Sequence, residues 1–196
     1  MKPVILAGID YSYTSPAICV WDTSLPYKFE NLRFYGYYDK KKYVGMHGTN
    51  ILVTMHLLWK TPEERFANIR DWAKAVLISE GVTHVGLEGY ALGSRSGMIF
   101  QIAENTSLLK QAIVELGLEF EIFPPSQVKK NFTGKGNAKK EPMIDHFNEI
   151  HAVKIGQLIG ADLDKPYMKP GDDLCDANAI MQCHSLFSEY KDKQNE

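Results

Sequence analysis

Four carboxylates in this chain stand where carboxylates are costly. Asp10 ends the apolar run Val4–Ile9, Glu88 ends a second run at Val85–Leu87, and Asp173 and Asp176 open a late apolar segment. A lone charge at the end of a buried element is expensive unless it has a partner. The most economical partner is a divalent cation shared among the four. Hard oxygen ligands suit Mg²⁺ or Mn²⁺, and a pair of such ions can drive in-line attack on a phosphodiester. Metal-dependent phosphodiester hydrolysis is the chemistry these residues predict.

Taken singly, each acid has a plainer explanation. Asp10 would serve as a turn cap, and Glu88 as an exposed strand-end acid, although Gly89 beside it lets a partner approach the backbone. Asp173 and Asp176 are three residues apart and share one helical face near its start, where capping or the helix dipole accounts for either one. Asp172, Asp173 and Asp176 together exceed what capping needs, because like charges on one turn repel unless a cation lies between them. The combination with Asp10 and Glu88 is far more specific than any of its parts.

A basic cluster accompanies the acids. Residues 125–141 carry Lys129, Lys130, Lys135, Lys139 and Lys140 against Glu141 alone. Gly134 and Gly136 let the backbone come close to phosphates, so a phosphate-contact surface is expected, with a solvated loop as the alternative. Gly134-Lys135-Gly136 lacks the spacing and the closing Lys-Ser/Thr of a nucleotide-binding P-loop. Tyr90, Arg95 and Phe100 follow Glu88 closely. The six histidines show no spacing suited to zinc, so packed or surface roles are expected.

The elements that must position these groups read as an α/β layered domain. Val4–Ile9 predicts a central strand, Ala17–Trp21 a second folding back on it, and Phe29–Tyr38 a third. Asp39–Lys42 looks like an exposed turn; Ile51–Met55 has β character, but Gly45, Gly48 and Asn50 interrupt the approach to it. Thr61, Pro62 and Glu64 form a capping box that starts a helix running to Glu80. Strand Val82–Glu88, helix Met98–Leu116 and strand Leu118–Phe123 follow. Then come a Lys- and Gly-rich loop over Lys129–Lys140, a helix over Glu141–Ile150, an irregular stretch over Asp162–Gly171, and a final helix over Asp173–Tyr190. Residues 1–190 are expected to form one domain, with 191–196 a polar tail.

Bulk properties narrow the classes further. With 44% hydrophobic and 23% charged residues the chain is neither disordered nor fibrous. A net charge of −2 means that any nucleic-acid contact comes from a local patch rather than the whole surface. Cys19, Cys175 and Cys183 are odd in number and form no close pair, which predicts reduced thiols in a cytosolic compartment. The run Val4–Ile9 is too short for a signal segment, and no stretch reaches membrane-spanning length. An intracellular, cytoplasmic protein is expected.

The ordered motifs resemble a known family. Ile5-Leu6-Ala7-Gly8-Ile9-Asp10, with Ser12 and Ala17, is similar to the first strand of RuvC-type Holliday junction resolvases of the ribonuclease H-like superfamily. His84-Val85-Gly86-Leu87-Glu88 resembles the family's second acidic motif, and Asp173-Leu174-Cys175-Asp176-Ala177-Asn178-Ala179-Ile180 its terminal helix. Between them, Pro125-Ser126-Gln127-Val128-Lys129-Lys130, then Gly134, Gly136 and Ala138-Lys139-Lys140, resemble the family's Gln-Val-Lys stretch and the Gly-rich loop ending in lysine. The motifs span nearly the whole chain in the right order.

The resemblance implies a ribonuclease H-like mixed sheet, three antiparallel strands followed by parallel ones, flanked by helices. It also implies a homodimer, two Mg²⁺ or Mn²⁺ ions on the four acids, and paired nicks across a four-way DNA junction. By position, Lys140 would lie near the scissile phosphate and Lys129 on DNA, with Lys130, Lys135 and Lys139 tracking the backbone and Arg95 a further contact. Tyr90 is the nearest candidate for an aromatic residue that holds the opened junction, with simple packing as its alternative. Helix Met98–Leu116 would supply the dimer interface, although its apolar positions fit core packing equally well.

The chain also departs from the family. Asp10 is followed by Tyr11-Ser12-Tyr13 in place of Pro-Gly, and the Asp10–Glu88 interval carries extra length near Asp39–Leu58. His151–Gly171 is extended too. These features resemble viral or organellar branches and leave open cleavage of flaps, other branched DNA or RNA. An actin-like ATPase, which also begins with Gly-Ile-Asp, needs two such domains and does not fit 196 residues. A non-catalytic junction-binding protein predicts the loss of at least one acid, whereas all four are present.

Overall fold

A computed structural model describes residues 3–90, 98–161 and 169–193 of the chain. At its centre β1 (Ile5–Asp10) pairs antiparallel with β2 (Ala17–Asp22) and parallel with β6 (His84–Glu88). Both faces of β1 are covered, and its unbroken apolar run reflects that. β2 continues antiparallel to β3 (Leu32–Tyr38), and β6 continues parallel to β7 (Glu119–Phe123). The segment read as extra length adds two strands outside β3: β5 (Ile51–Met55), parallel to β3, and the short β4 (Gly45–His47), antiparallel to β5. The sheet order is β4-β5-β3-β2-β1-β6-β7. The expected mixed sheet is thus present, with an added edge.

Strand direction decides where chemistry can gather. β1, β3, β5, β6 and β7 all run the same way, so Asp10, Tyr38, Met55, Glu88 and Phe123 end on one edge of the sheet. In α/β sheets that carboxyl edge is where ligands collect.

Alternation along β1 divides the core in two. Ile5, Ala7 and Ile9 pack with Ile69 and Leu77 of α1 (Pro62–Ser79) and Leu109 and Ile113 of α2 (Met98–Glu115). On the opposite face Leu6 joins Phe132 of α3 (Pro125–Thr133), Phe147 of α4 (Lys140–His151) and Ile180 of α6 (Gly171–Cys183). The short α5 (Ile155–Leu158) and α7 (Ser185–Asp192) complete that side through Ile155 and Phe187. Thr61 caps α1 as its sequence predicts, accepting from the Glu64 amide. Among the described residues no helix is long and apolar enough to cross a membrane.

Three elements differ from the sequence reading. The stretch expected to be a loop from Lys129 begins inside helix α3, which Pro125 opens and buried Val128 and Phe132, four residues apart, hold against the sheet. Gly134 then ends it in the left-handed conformation, φ 78°. The final helix is two: at His184 the backbone turns extended, and the imidazole caps α7 by accepting from the Leu186 amide. Phe29–Asn31 forms a short 3₁₀ turn before β3 rather than its first residues.

Candidate active site

Asp10 follows Leu6 and Gly8 on the face of β1 that looks toward α6. Gly8 stands opposite Gly86, and continuing the same parallel register sets Glu88 beside Asp10. The two glycines are the seat of α6. A Cβ built on Gly8 would lie 2.2 Å from the Ala177 carbonyl and 2.4 Å from the Met181 amide, and one on Gly86 3.0 Å from the Ile180 carbonyl. The helix therefore rests on strand backbone with no side chain between. This close approach brings Asp173 and Asp176, on its first turns, to the strand-end acids.

Asp172 and Asp173 are buried, while Asp10, Glu88 and Asp176 keep partial access to solvent at the sheet edge. Their electrostatics are those of crowded like charges. The Asp10 carboxyl is held well above the usual range by desolvation, and then by Asp173, Asp176 and Glu88. Desolvation, with Glu88, Asp173 and Asp172, pushes Asp176 up to about 7. Asp173 rises to about 6 through desolvation and Asp172, against the pull of Lys169 and Ser15. Glu88 rises by desolvation, with Lys129 opposing.

Two lysines answer part of this negative charge. Lys169 Nζ donates to Asp173 Oδ1 at 2.9 Å and also reaches Ser15 Oγ. Lys140, the first residue of α4, pairs with Asp172. Although Lys140 is partly desolvated, Asp172, Asp173 and Asp176 raise its pKa and keep it charged. Asp172, Lys169 and Ser15 were not assigned roles from sequence. The surplus of acid in Asp172-Asp173 hints at the first, and Lys169 stands four residues before Asp173, a local spacing that points to it; Ser15 joins them only through a contact 154 positions along the chain.

Whether this set suits a divalent cation can be judged from its own atoms. Among the described residues no three His, Cys, Asp or Glu side chains are already arranged as a ligand shell. The donors are nevertheless all carboxylate oxygens, mutually repelling. Asp172 Oδ1 and Asp173 Oδ2 are buried with no hydrogen-bond partner among the described residues. A hard cation would relieve both conditions, so the residues fit one.

The remaining predicted residues fall around this edge. α3 carries Lys129, whose charge acts on Glu88, and exposed Lys130; Lys135 and Lys139 are exposed on the turn into α4. Tyr90 lines a cleft with Asp10, Ser12, Glu88, Ile102 and Thr106, and Lys110 Nζ lies 5.0 Å from the centre of its ring. Arg95 lies outside the described residues.

The raised acids carry a pH consequence of defined sign. A carboxyl whose folded pKa is raised ionises first in the unfolded chain, so its share of stability is full below about 4 and is lost as pH climbs toward 6 to 7. Buried His151 and His184, whose pKa values are lowered, act in the opposite direction. A metal-induced change in Tm would separate the two effects, because a cation held by these acids would bind their deprotonated form. The stabilisation by Mn²⁺ is expected to grow between pH 5 and pH 8 in thermal melts. A shift independent of pH would mean that these acids do not receive the ion.

The strand order and the helices on both faces give a mixed α/β fold like that of RuvC. The structure of Thermus thermophilus RuvC superposes with a TM-score of 0.61 at 20% identity, covering 95% of this chain and 96% of that one. T. thermophilus RuvC in complex with a Holliday junction substrate gives 0.61 at 19% identity, covering 95% of each. The yeast mitochondrial Holliday junction resolvase Ydc2 aligns over 97% of this chain and 83% of its own, with 14% identity and a TM-score of 0.48. No protein-family model and no curated protein matches the chain. At these identities the likeness is one of fold.

Proposed function

We propose that the chain is a Mg²⁺- or Mn²⁺-dependent endonuclease that resolves four-way DNA junctions as a homodimer. The observation that carries this reading is the gathering of four desolvated, mutually repelling carboxylates from β1, β6 and α6 on one sheet edge, with lysines of α3 and α4 beside them. Asp10, Glu88, Asp173 and Asp176 would hold two ions. Bound there, the ions would supply activation of the attacking water and stabilisation of the leaving oxygen.

The chain's own residues do the positioning. Lys140, kept protonated by its acidic neighbours, offsets charge building on the phosphate. Lys129, Lys130, Lys135 and Lys139 track the DNA backbone, with Arg95 a further contact, and Tyr90 sits in the cleft where an opened strand would pass. Dimerisation would use α2, on which Ile99, Phe100 and Val114 are exposed while Leu109 and Ile113 face the core.

The lysines offer a measurement independent of cleavage. Replacing Lys129 and Lys130 with Ala is expected to weaken junction binding and lower the slope of log K against log salt by about 1 to 2. An unchanged slope would return both lysines to a solvated surface.

The paired action is tested with a supercoiled plasmid that extrudes a cruciform. Two nicks within one encounter give linear plasmid directly, as the dimer predicts. Accumulation of nicked circles before any linear product would contradict concerted resolution.

A further inference from the structure

The segment between β3 and α1 builds an exposed structure that the four acids do not explain. Since β5 runs parallel to β3, it ends on the same edge as Asp10 and Glu88, and the chain continues through His56–Lys60 before Thr61 caps α1. Here Leu57 is 62% and Leu58 98% exposed, two large apolar side chains standing in water at the active edge.

Their mounting is stiff. Buried His56 stacks on Tyr37 with ring centres 4.0 Å apart, and Tyr37 stacks on Trp72 at 5.3 Å. The Leu57 amide donates to the Tyr37 hydroxyl at 2.8 Å. The Arg65 guanidinium is sandwiched 4.0 Å from the Tyr13 ring and 4.4 Å from the Trp59 ring. Tyr13 belongs to the turn that follows Asp10, so the tip is braced against the strand that carries the first acid.

Charge indicates what the tip meets. Over residues 38–65 Lys40, Lys41, Lys42, Lys60 and Arg65 outnumber Asp39, Glu63 and Glu64, of which Glu64 accepts from the Lys60 amide at 2.6 Å, in a chain whose net charge is −2. All four lysines are exposed. A second copy docking here through the same patch would bring the lysine clusters together, which like-charge repulsion opposes. A polyanion with apolar faces between its charges matches both features.

We propose that His56–Lys60 is a DNA wedge: Leu57 and Leu58 press against the unstacked bases of a branch point while Lys40, Lys41, Lys42 and Lys60 hold the flanking phosphates. Apolar side chains inserted at base steps open DNA in this way, and the basic flank supplies sequence-independent affinity. The proposal rests on reading the four-acid site as a nuclease for branched DNA and adds the element that selects the branch.

The test uses the full chain, native and with Leu57→Ser/Leu58→Ser, in chelator to prevent cutting. A four-way junction with 2-aminopurine at the branch point is compared with linear duplex, and folding of the variant is checked by its melt. The expected result is a rise in fluorescence with the native protein that the double variant loses. Its junction affinity should fall roughly tenfold, with duplex affinity unchanged. Equal junction affinity and fluorescence in the two proteins would overturn the wedge. A change from dimer to monomer in the variant during sedimentation would also overturn it, giving the surface to a second copy. Cleavage in Mg²⁺, followed separately, keeps the two proposals apart. Unimpaired cutting with no wedge effect removes this inference alone, whereas a wedge effect without cutting removes the nuclease reading alone.

Discussion

Asp10→Asn is expected to abolish cleavage, by about a thousandfold or more, while leaving junction binding largely intact. Asn keeps the shape of the side chain but removes a charged oxygen, the proposed metal ligand, from the point where β1 and β6 meet α6. Losing several kcal/mol of transition-state stabilisation translates to that factor. The same substitution carries a second, opposite signature. Asp10 is pushed up by Asp173, Asp176 and Glu88 after desolvation itself, so without metal its charge works against the fold. The variant is therefore expected to melt higher than the native protein in chelator near pH 7.5, by roughly 2–4 °C for each kcal/mol of repulsion relieved. The order should reverse when Mn²⁺ is added. Native-like cutting by the variant, or a lower Tm in chelator, would contradict the role given to Asp10.

Gly8→Ala tests the architecture beneath the chemistry. The new Cβ would meet the Ala177 carbonyl at 2.2 Å, the Met181 amide at 2.4 Å and the Met181 Cβ at 2.7 Å. The first two are helix backbone, which no rotamer change can move aside. α6 must shift, and overpacking of this kind costs about 3 kcal/mol or more. A fall in Tm of roughly 10 °C is expected for a chain of this size. Cleavage should fall by about a hundredfold even below that Tm, because a displacement of about 1 Å at Asp173 and Asp176 spoils alignment. Gly36→Ala in β3 is the control. Its Cβ would make only ordinary contact, 3.4 Å from Val53 Cγ2. Native stability and activity in Gly8→Ala would refute the direct seating of α6 on β1.

Much of this was legible in the sequence for local reasons. The apolar runs before Asp10 and Glu88 identified a central buried strand and a second short strand, and Thr61-Pro62 with Glu64 marked the start of α1. The rest depends mostly on contacts distant along the chain. α3 was hidden because its lysines and the glycines after it outweighed the Val128–Phe132 spacing. The break at His184 has no Gly or Pro to announce it. It coincides with a tertiary hydrogen bond from the Ser185 amide to Glu121 Oε2 at 3.2 Å. Lys169 reaches Ser15 across 154 positions, a pairing no local pattern predicts. Tyr43–Leu58 was ambiguous because β4 and β5 form only by pairing with each other and with β3. The residues between their end and α1, left unassigned in the sequence, carry the exposed Leu57 and Leu58.

The most direct measurement is a gel assay in Mg²⁺ of native protein and Asp10→Asn on a synthetic four-way junction, matched linear duplex, a flap and an RNA–DNA hybrid. Paired symmetric nicks in the junction are expected from the native protein, none from the variant, and little cutting of the duplex from either. Cleavage of flap or hybrid with the junction spared, or tight junction binding with no cleavage at all, would contradict the proposed junction resolution.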